Sequence, residues 1–418
     1  MSASSMVNRA TGILRDEGVG GLTARALRKA HRKWGDNAEE LNLLADDVAD
    51  SARVAPAPAG RVVPEGEPLR IGWVVSAPGP ASGGHTTMFR FVEALEQAGH
   101  TCVLYVYDGH GGPAAASEQL IRTWWPRVRA EIRDLADGLG GMDAYIATAW
   151  NTAHVLASRG AGVPGRRFYL AQDFEPYFYP RGSAYELAED TYRFGFESIT
   201  VGHMVADELR RRFGVESTVA EFGCDTSRYG VTAQTGRDDV VFYAKPGIAR
   251  RGYELGVLAL ERFHRDHPDV TIHTFGIPAK RLPFPAEVHA HLTPDALNDL
   301  YNRCGAGLAL SFTNVSLIAS ELLAAGVVPV VNDWPGTRAD LDNPHVAWAR
   351  PTPQGVADAL ADALSIQRAA GPRALRASVD ALSWEPAKQA VVRAVERACA
   401  RGDAPAEPET ATARMERS

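Results

Sequence analysis

Short β-branched runs alternate with helical patterns along the first half of the chain. The runs that predict strands are LRIGWVVS (69–76), TCVLYVYD (101–108), DAYIATAW (143–150), RFYLAQD (167–173) and SITVG (198–202). Between them, segments such as MFRFVEALEQAG (88–99) and HMVADELRRRFG (203–214) have the periodicity of amphipathic helices. Strands and helices in alternation indicate a parallel sheet covered by helices on both faces.

The same rhythm restarts after residue 238. DVVFYAK (239–245), TIHTFG (271–276), AGLALS (306–311) and VVPVVND (327–333) predict four more strands, with helical segments between them. We therefore expect an α/β fold of two doubly wound, Rossmann-like domains that meet near residues 230–238. Such units bind ligands at the carboxyl ends of their strands, so two facing units create a cleft between them.

The flanking segments have different compositions. Residues 1–65 read as a helical extension followed by an Ala- and Pro-rich linker, and the two domains are predicted over 66–235 and 236–385. We expect the helical segment 386–400 to close the second unit. The polar tail 401–418 is predicted to be disordered.

Composition narrows the class of protein. The 418 residues are 45% hydrophobic and 23% charged, and a net charge of −7 gives no general attraction to nucleic acid. The four cysteines form no C-x-x-C pair, so neither disulfides nor a structural zinc site is expected. Since no apolar run reaches the roughly 20 residues that span a bilayer, a cytoplasmic location is expected.

The first candidate site follows the first predicted strand. In PGPASGGHTTMF, Gly83 and Gly84 let a ligand approach the backbone at the start of a helix, whose amino end favours anions. The spacing is not G-x-G-x-x-G, so a dinucleotide fingerprint is not supported. An ordinary glycine-rich turn is the alternative.

Two further candidates lie in the second half of the chain. Lys245 ends a strand and Arg251 precedes a helix, so both cations are placed to hold a diphosphate, while Arg250 is expected to face solvent. Surface charges at a strand end are the alternative. A polar turn then opens an apolar helix that carries Glu321, and its amides form a candidate anion site; its residues are Thr313, Asn314, Val315 and Ser316. Glu321 is predicted to accept hydrogen bonds from ribose hydroxyls, or else to pair with a local Arg or Lys.

The segment AQDFEPYFYP follows a strand of the first domain and supplies candidate acceptor-binding residues. Asp173 and Glu175 are candidates for orienting an acceptor hydroxyl, and aromatic rings stack on the apolar faces of sugars; these rings are Phe174, Tyr177, Phe178 and Tyr179. His85 and His203 are further candidates for the cleft. The alternative is a loop packed on its own domain.

Taken in order, these motifs resemble glycosyltransferase family 4. PGPASGGHTTMF resembles the family's Gly-Gly loop, YAKPGIARRGYELGVLAL its "G-R-x-x-x-x-K-G" phosphate segment, and ELLAAGVVPVV its "E-A-M-A-x-G-x-P-V-V". The stretch YLAQDFEPYFYPRGSAYELAEDTYRFGF resembles the WsaF-type rhamnosyltransferases of bacterial surface-glycan assembly. The resemblance covers residues 69–400 and implies the two-domain GT-B fold.

The resemblance also implies roles for individual residues. It places Lys245 and Arg251 on the donor diphosphate and Glu321 on the ribose, with the turn amides near the transferred sugar. It puts Gly84 at the donor phosphate or the acceptor. The family retains anomeric configuration, and its mechanism implies that Lys245 and Arg251 stabilise the leaving group without a cofactor or a metal ion. Asp173 and Glu175, from their position after a strand of the first domain, are the other candidate catalytic residues. The Asp340–Asp342 pair in RADLDNP reads as a surface turn.

Two departures from the family pattern concern the donor. Thr313 stands where the family has a carboxylate, and Lys245 stands where it has arginine. The lost carboxylate suits a 6-deoxy donor such as dTDP-rhamnose, and the implied acceptor is a surface glycan or a lipid-linked one. Two other readings stay open: a degenerate sugar-nucleotide-binding subunit, which Thr313 favours, and a nucleotide-sugar 2-epimerase.

Residues 20–34 form a basic helical pattern outside both predicted domains. Its cations and thin apolar stripe are typical of a helix that lies on an anionic membrane surface. Peripheral contact with the inner face of the cell membrane is one expectation. Docking on the protein's own surface or on a partner is the other.

Overall fold

The computed structural model describes residues 41–79, 82–109, 114–276, 282–290 and 292–401. The basic segment 20–34 and the predicted disordered tail from residue 402 onward lie outside these ranges. Every helix in the described part of the chain is too short or too polar to cross a lipid bilayer.

The first sheet has seven parallel strands in the order β3-β2-β1-β4-β5-β6-β7. They are β1 (Arg70–Ser76), β2 (Thr101–Tyr107), β3 (Glu131–Asp134), β4 (Ala144–Ala147), β5 (Arg166–Ala171), β6 (Glu197–Val201) and β7 (Ser217–Ala220). In the central strand β1, Ile71 lies beside Cys102 on one side and Ala144 on the other. Five of its seven side chains are buried, as expected for a strand covered on both faces.

The helices that connect these strands in the sequence cover the sheet. They are α1 (Gly83–Gln97), α2 (Ala114–Trp124), α3 (Trp150–Arg159), α4 (Ser183–Asp190) and α5 (His203–Phe213). The end of α1 follows from the sequence, because Gly99 adopts a φ of +94°, which side-chain-bearing residues rarely do.

The second sheet has six parallel strands in the order β10-β9-β8-β11-β12-β13. They are β8 (Asp239–Tyr243), β9 (Ile272–Phe275), β10 (Glu287–His289), β11 (Cys304–Leu308), β12 (Val328–Asn332) and β13 (Ala347–Ala349). Its helices are α6 (Tyr253–Asp266), α7 (Pro294–Tyr301), α8 (Leu317–Ala324), α9 (Pro335–Arg338), α10 (Pro353–Ala370) and α11 (Pro372–Ala377). The predicted fold class, two doubly wound α/β units, is confirmed.

The four strands that the pattern did not predict are the four edge strands, β3, β7, β10 and β13. They have only three or four residues each, and two of them, EIRD and EVH, are largely polar. Edge strands are paired on one side only, so they need neither the length nor the apolar run by which a strand is recognised.

The last helix, α12 (Glu385–Ala400), does not close the second unit as expected. It packs on α1 and β7 of the first unit, where Val391 and Val395 join the core that contains Trp73. The carbonyl of Cys399 also accepts a hydrogen bond of 3.0 Å from the amide of Val63. The expected assignment was wrong because an amphipathic stripe shows that a helix packs, without showing on which sheet.

Residues 41–68 are also part of the first unit rather than a free linker. The carboxylate of Asp47 is 2% exposed; it accepts a bond of 2.6 Å from Arg159 Nε and one of 3.0 Å from the hydroxyl of Tyr107. Farther along, Arg61 pairs with Asp143 at 2.6 Å. Apart from the short turn Ala45–Asp47, residues 41–50 are not helical, which corrects that part of the predicted extension.

We predict that identical substitutions in α12 and α10 weaken different domains. Val391 and Val356 are both fully buried, the first in the core of the first unit and the second in that of the other. Val391→Ala is expected to cost about 2 kcal/mol and to speed amide hydrogen exchange in β1 and β7. Val356→Ala, the matched control, is expected to act on β11 and β12. Faster exchange in the second sheet after Val391→Ala would contradict this packing.

Candidate functional site

The loops at the carboxyl ends of the strands bring residues of the two units together. From the first unit, β5 runs directly into Gln172 and Asp173. From the second, β8 leads to Lys245, and β11 leads to the turn of residues 313–316. In doubly wound sheets this edge is where ligands bind.

Asp173 links the two units. Its Oδ2 accepts a hydrogen bond of 2.8 Å from the hydroxyl of Thr313, and its Oδ1 accepts one of 3.3 Å from the amide of Asn314. The side-chain amide of Asn314 donates in turn to the carbonyl of Gln172 at 2.7 Å. Burial raises the pKa of Asp173, while the positive charges of Arg250 and Arg251 act in the opposite direction. A carboxylate predicted to face an acceptor thus makes contacts across the domain boundary.

Arg250 takes part in this contact and does not face solvent as expected. Its guanidinium carbon lies 4.0 Å from the centre of the Phe178 ring, and its Nε is 3.9 Å from Asp173 Oδ2. Its carbonyl accepts a hydrogen bond of 2.8 Å from the amide of Phe312. The prediction failed because the partners of Arg250 come from distant parts of the chain.

Lys245 and Arg251 are two cations that follow strand β8. Lys245 Nζ is 5.5 Å from the centre of the Tyr243 ring. Burial raises the pKa of Tyr243, and the positive charge of Arg251 opposes that rise. Arg251 Nη1 donates to Ser311 Oγ at 2.9 Å, and burial, reinforced by the charge of Arg250, lowers its pKa. In the described part of the chain, neither Lys245 nor Arg251 has a carboxylate oxygen within 4.0 Å. Such a pair favours an anion as its partner.

The turn of residues 313–316 keeps some of the free backbone amides that were predicted to bind an anion. All four of its residues are buried, and the amide of Asn314 is already bonded to Asp173. Among the described residues, none accepts a hydrogen bond from the amides of Val315 and Ser316, and the side chain of Ser316 does not cap α8. Two free donors therefore remain at the positive end of a helix.

Gly83 and Gly84 form the exposed first turn of α1. A Cβ built on Gly83 meets nothing within 4 Å, and one built on Gly84 comes no closer than 3.9 Å to Gln172. Packing of the described residues therefore does not require glycine at either position. A ligand that approaches this backbone would give glycine a reason to be there.

Glu321 lies among charged residues of the segment that joins the two units. Burial and the charge of Asp225 raise its pKa to about 7, while Arg90 and Arg228 oppose that rise. Arg90 is itself paired with Asp225, its Nη1 lying 2.7 Å from Oδ1. No Arg or Lys nitrogen of the described chain is within 4.0 Å of the Glu321 carboxylate, so the local ion-pair alternative is not found.

Glu175 lies at the base of a pocket in the first unit. Its Oε2 accepts a hydrogen bond of 2.5 Å from the amide of Trp150, and burial raises its pKa to about 8. The pocket has a volume of about 310 Å³ and is lined by Leu41, Asn42, Ala149, Trp150, Asn151, Glu175, Phe178 and Tyr179. Trp150 could be anticipated from its position at the end of a predicted strand, whereas no sequence pattern pointed to Leu41 and Asn42.

Two of the four predicted sugar-stacking rings are directed elsewhere. Phe174 is fully buried and stacks on Tyr192 at 5.3 Å, so its predicted contact with an acceptor is wrong. The hydroxyl of Tyr177 donates to Glu208 at 3.1 Å, and its ring packs edge-on against Phe174. These aromatic residues divide between the core and the pocket. Composition alone does not reveal which ring goes to which place.

The ring of His85 is held by its own domain. His85 Nε2 lies 3.2 Å from the carbonyl of Ser76 and Nδ1 lies 2.9 Å from Ser82 Oγ, and burial lowers the pKa of the ring. The ring thus anchors the start of α1 beside Gly84.

Asp340 is not the surface turn that was expected. Its carboxylate accepts hydrogen bonds of 2.5 Å and 3.0 Å from the amides of His203 and Met204. A carboxylate of the second unit therefore caps α5 of the first, where the helix dipole favours negative charge.

Two facing doubly wound domains define the GT-B fold, and solved glycosyltransferase structures support this fold. A glycosyltransferase from Rickettsia africae has a TM-score of 0.56 at 12% identity, covering 79% of this chain and 98% of its own. WaaG, a glycosyltransferase involved in lipopolysaccharide biosynthesis, has a TM-score of 0.54 at 12% identity, covering 78% and 99%. HepE of Anabaena, solved in complex with UDP-glucose, has a TM-score of 0.54 at 11% identity, covering 79% and 98%.

Sequence comparisons point to a particular group of related proteins within this fold. The family models for the WsaF N-terminal domain and the WsaF C-terminal domain match residues 133–203 and 238–361. The O-antigen biosynthesis protein RfbC of Myxococcus xanthus is 29% identical over 81% of this chain, which spans only 28% of that relative's length. Together with the fold, these findings support a WsaF-like glycosyltransferase, as the sequence predicted; membership of family 4 stays a prediction.

We predict that Glu175 makes the protein less stable as the pH rises. Its folded pKa of about 8 lies above the ordinary 4.5, so between these values the folded state keeps a proton that the unfolded state has lost. The free energy of unfolding then falls by about 1.4 kcal/mol per pH unit for one such group, and Glu321 acts in the same direction up to about pH 7. Glu175→Gln should flatten this dependence in urea unfolding from pH 5 to pH 8.

The matched control is Glu216→Gln, which changes an exposed glutamate of the same domain. Its pH profile should run parallel to that of the parent. A Glu175→Gln profile that also runs parallel would show that Glu175 is ionised throughout this range.

Proposed function

We propose that this chain transfers a sugar from a nucleoside diphosphate donor to a glycan or lipid-linked acceptor in surface polysaccharide biosynthesis. The observation that carries the proposal is the pair Lys245 and Arg251, which lies at the strand ends without a carboxylate partner among the described residues. The WsaF matches and the O-antigen relative favour the same class, although the chain spans only part of that relative.

The proposed chemistry is transfer with retention of anomeric configuration and without a metal ion. As the bond from the anomeric carbon to the phosphate oxygen breaks, negative charge builds on the diphosphate. Fixed cations and free amides at that position stabilise the charge more in the transition state than in the ground state. Lys245, Arg251 and the amides of Val315 and Ser316 are the groups proposed for this task. The acceptor oxygen then forms a bond to the anomeric carbon from the same face of the sugar, and its proton passes to the departing diphosphate.

The acceptor is proposed to enter from the pocket above Glu175. Its walls include the rings of Trp150, Phe178 and Tyr179, and aromatic faces suit the C–H faces of a sugar ring. Trp150 Nε1 donates to the Tyr179 hydroxyl at 3.1 Å, which holds two of these rings in a fixed relation. Arg250, packed on Phe178, connects this pocket to the boundary between the domains.

The position of Asp173 helps to distinguish a catalytically active site from a degenerate one. Thr313 suggested a missing carboxylate, but the Asp173 carboxylate of the other domain lies 2.8 Å from its hydroxyl. A carboxylate at position 313 would then face a second one at close range and would be repelled. The presence of the Asp173 carboxylate beside Thr313 supports an active transferase over a binding subunit. It is also compatible with a 6-deoxy donor such as dTDP-rhamnose.

The place of action is proposed from the sequence alone. Residues 20–34, which lie outside the described ranges, are proposed to contact the anionic inner face of the cell membrane. A lipid-linked acceptor would make that position useful.

We predict that Lys245→Ala and Arg251→Ala each lower turnover by about 100-fold or more while the fold is kept, because each removes a contact that strengthens as the leaving group gains charge. Turnover is measured as released nucleoside diphosphate, with dTDP-rhamnose and UDP-glucose as donors. Arg262→Ala, which changes an exposed arginine of the same domain, is the matched control and should leave turnover unchanged. Near-parental rates in both cation variants would remove this site assignment.

We predict that Gly84→Ala leaves folding intact and impairs catalysis. The added methyl group has room in the protein, and alanine favours a helix, so the melting temperature should stay equal or rise. A ligand that touches this backbone would meet the methyl group, which should lower kcat/KM by about tenfold or more.

The matched control is Gly162→Ala, where a Cβ also meets nothing within 4 Å. If Gly84→Ala has the kinetics of this control, no substrate approaches the first turn of α1.

A further inference from the structure

Three potential metal ligands lie together on the second sheet. His273 is on β9, and Glu287 and His289 are on the edge strand β10. The register places Glu287 directly beside His273, and His289, two residues on, projects from the same face. His273 and Glu287 lie near the amino ends of their strands, whereas the proposed donor residues lie at the carboxyl ends.

Two of the three separations between the ligand atoms match a tetrahedral site, and all three are within 4.8 Å. His289 Nε2 lies 3.3 Å from His273 Nδ1, which in turn lies 3.2 Å from Glu287 Oε2. Ligands bound to zinc at about 2.0–2.1 Å in tetrahedral geometry are about 3.3–3.4 Å apart. Two imidazole nitrogens and a carboxylate oxygen are also the donors that zinc prefers.

Asp239 fixes the orientation that such a site requires. Its Oδ2 lies 2.9 Å from His273 Nε2, so that nitrogen donates to Asp239 and the Nδ1 lone pair points at Glu287 and His289. His289 Nε2, at 3.3 Å, and Glu287 Oε2, at 3.2 Å, both lie next to this Nδ1 nitrogen. A carboxylate behind a ligating histidine is the usual outer partner in zinc sites.

The charged side chains near the cluster carry an excess of negative charge, which favours a divalent cation. Two carboxylates, Asp239 and Glu287, face one cation, Arg303, which is half-exposed and lies 3.7 Å and 3.5 Å from them. Glu287 also lines a surface pocket of about 330 Å³, so water reaches the cluster and can supply a fourth ligand.

We propose that His273, Glu287 and His289 form a structural zinc site that fastens the edge strand β10 to β9. The earlier expectation of no structural zinc site rested on the spacing of the cysteines, whereas these ligands come from two strands that only the sheet brings together. Because β10 has three residues and a single neighbour, a metal bridge would stabilise it. The site would have no part in sugar transfer.

The test uses the full chain freed of metal by dialysis against EDTA. Zinc chloride, titrated in competition with a chromogenic chelator, should bind with one equivalent per chain, and cobalt(II) should give the visible absorption of a tetrahedral site. Saturating zinc should raise the melting temperature by roughly 5 °C. His289→Gln and Glu287→Gln should each weaken zinc binding by at least about tenfold.

His345→Gln, a half-buried histidine of the same domain, is the matched control and should bind zinc like the parent. Absence of stoichiometric binding overturns the proposal, as does affinity that survives in both ligand variants. Donor binding, measured below the melting temperature, should not change with zinc, so failure here is separable from failure of the proposed transfer activity.

Discussion

The buried carboxylate of Asp173 is the contact on which the arrangement of the two domains depends. It comes from the end of a strand in the first unit and accepts hydrogen bonds from Thr313 and Asn314 in the second. A buried carboxylate without such partners would cost several kcal/mol, so the two loops stabilise each other only while they are together. Arg250 adds a positive charge at 3.9 Å and packs on Phe178, so the same contact extends to the acceptor pocket. The proposed donor and acceptor sites therefore lie on either side of one polar interface.

The charges around this interface are distributed unevenly. Asp173 is satisfied within the protein, whereas Lys245 and Arg251 have no carboxylate within 4.0 Å in the described chain. The hydroxyl of Ser311 accepts from Arg251 and donates to the carbonyl of Asn314 at 2.5 Å, which ties the cation to the turn that Asp173 holds. Arg251 is thus connected to the contact between the domains through a few hydrogen bonds. A donor diphosphate is the ligand that we propose for it.

The chain crosses the domain boundary more than once. Residues 41–68 and helix α12 both pack on the first unit, so its core includes residues from both ends of the described chain. Arg90 of α1 reaches Asp225 in the connecting segment and lies 5.0 Å from the ring of Trp384, where the chain returns. Glu321 lies beside this junction, and its pKa of about 7 reflects the burial that the crossing produces. The ribose position proposed for Glu321 is therefore next to the segment around which the domains would move.

The sequence alone determined the α/β class, the two units and the strand ends at which Gly84, Lys245 and Arg251 lie. These properties follow from local patterns, because the alternation of apolar runs and amphipathic helices dictates a parallel sheet, and a sheet places its loops at known edges. Only the tertiary structure decided that α12 joins the first sheet, that Arg250 turns inward and that Phe174 is core while Phe178 lines a pocket. It also decided that Asp340 caps a helix of the other domain and that His273 meets Glu287 and His289. Each of these depends on contacts between residues far apart in the chain, and hydrophobic periodicity carries no information about which distant surface a side chain will meet.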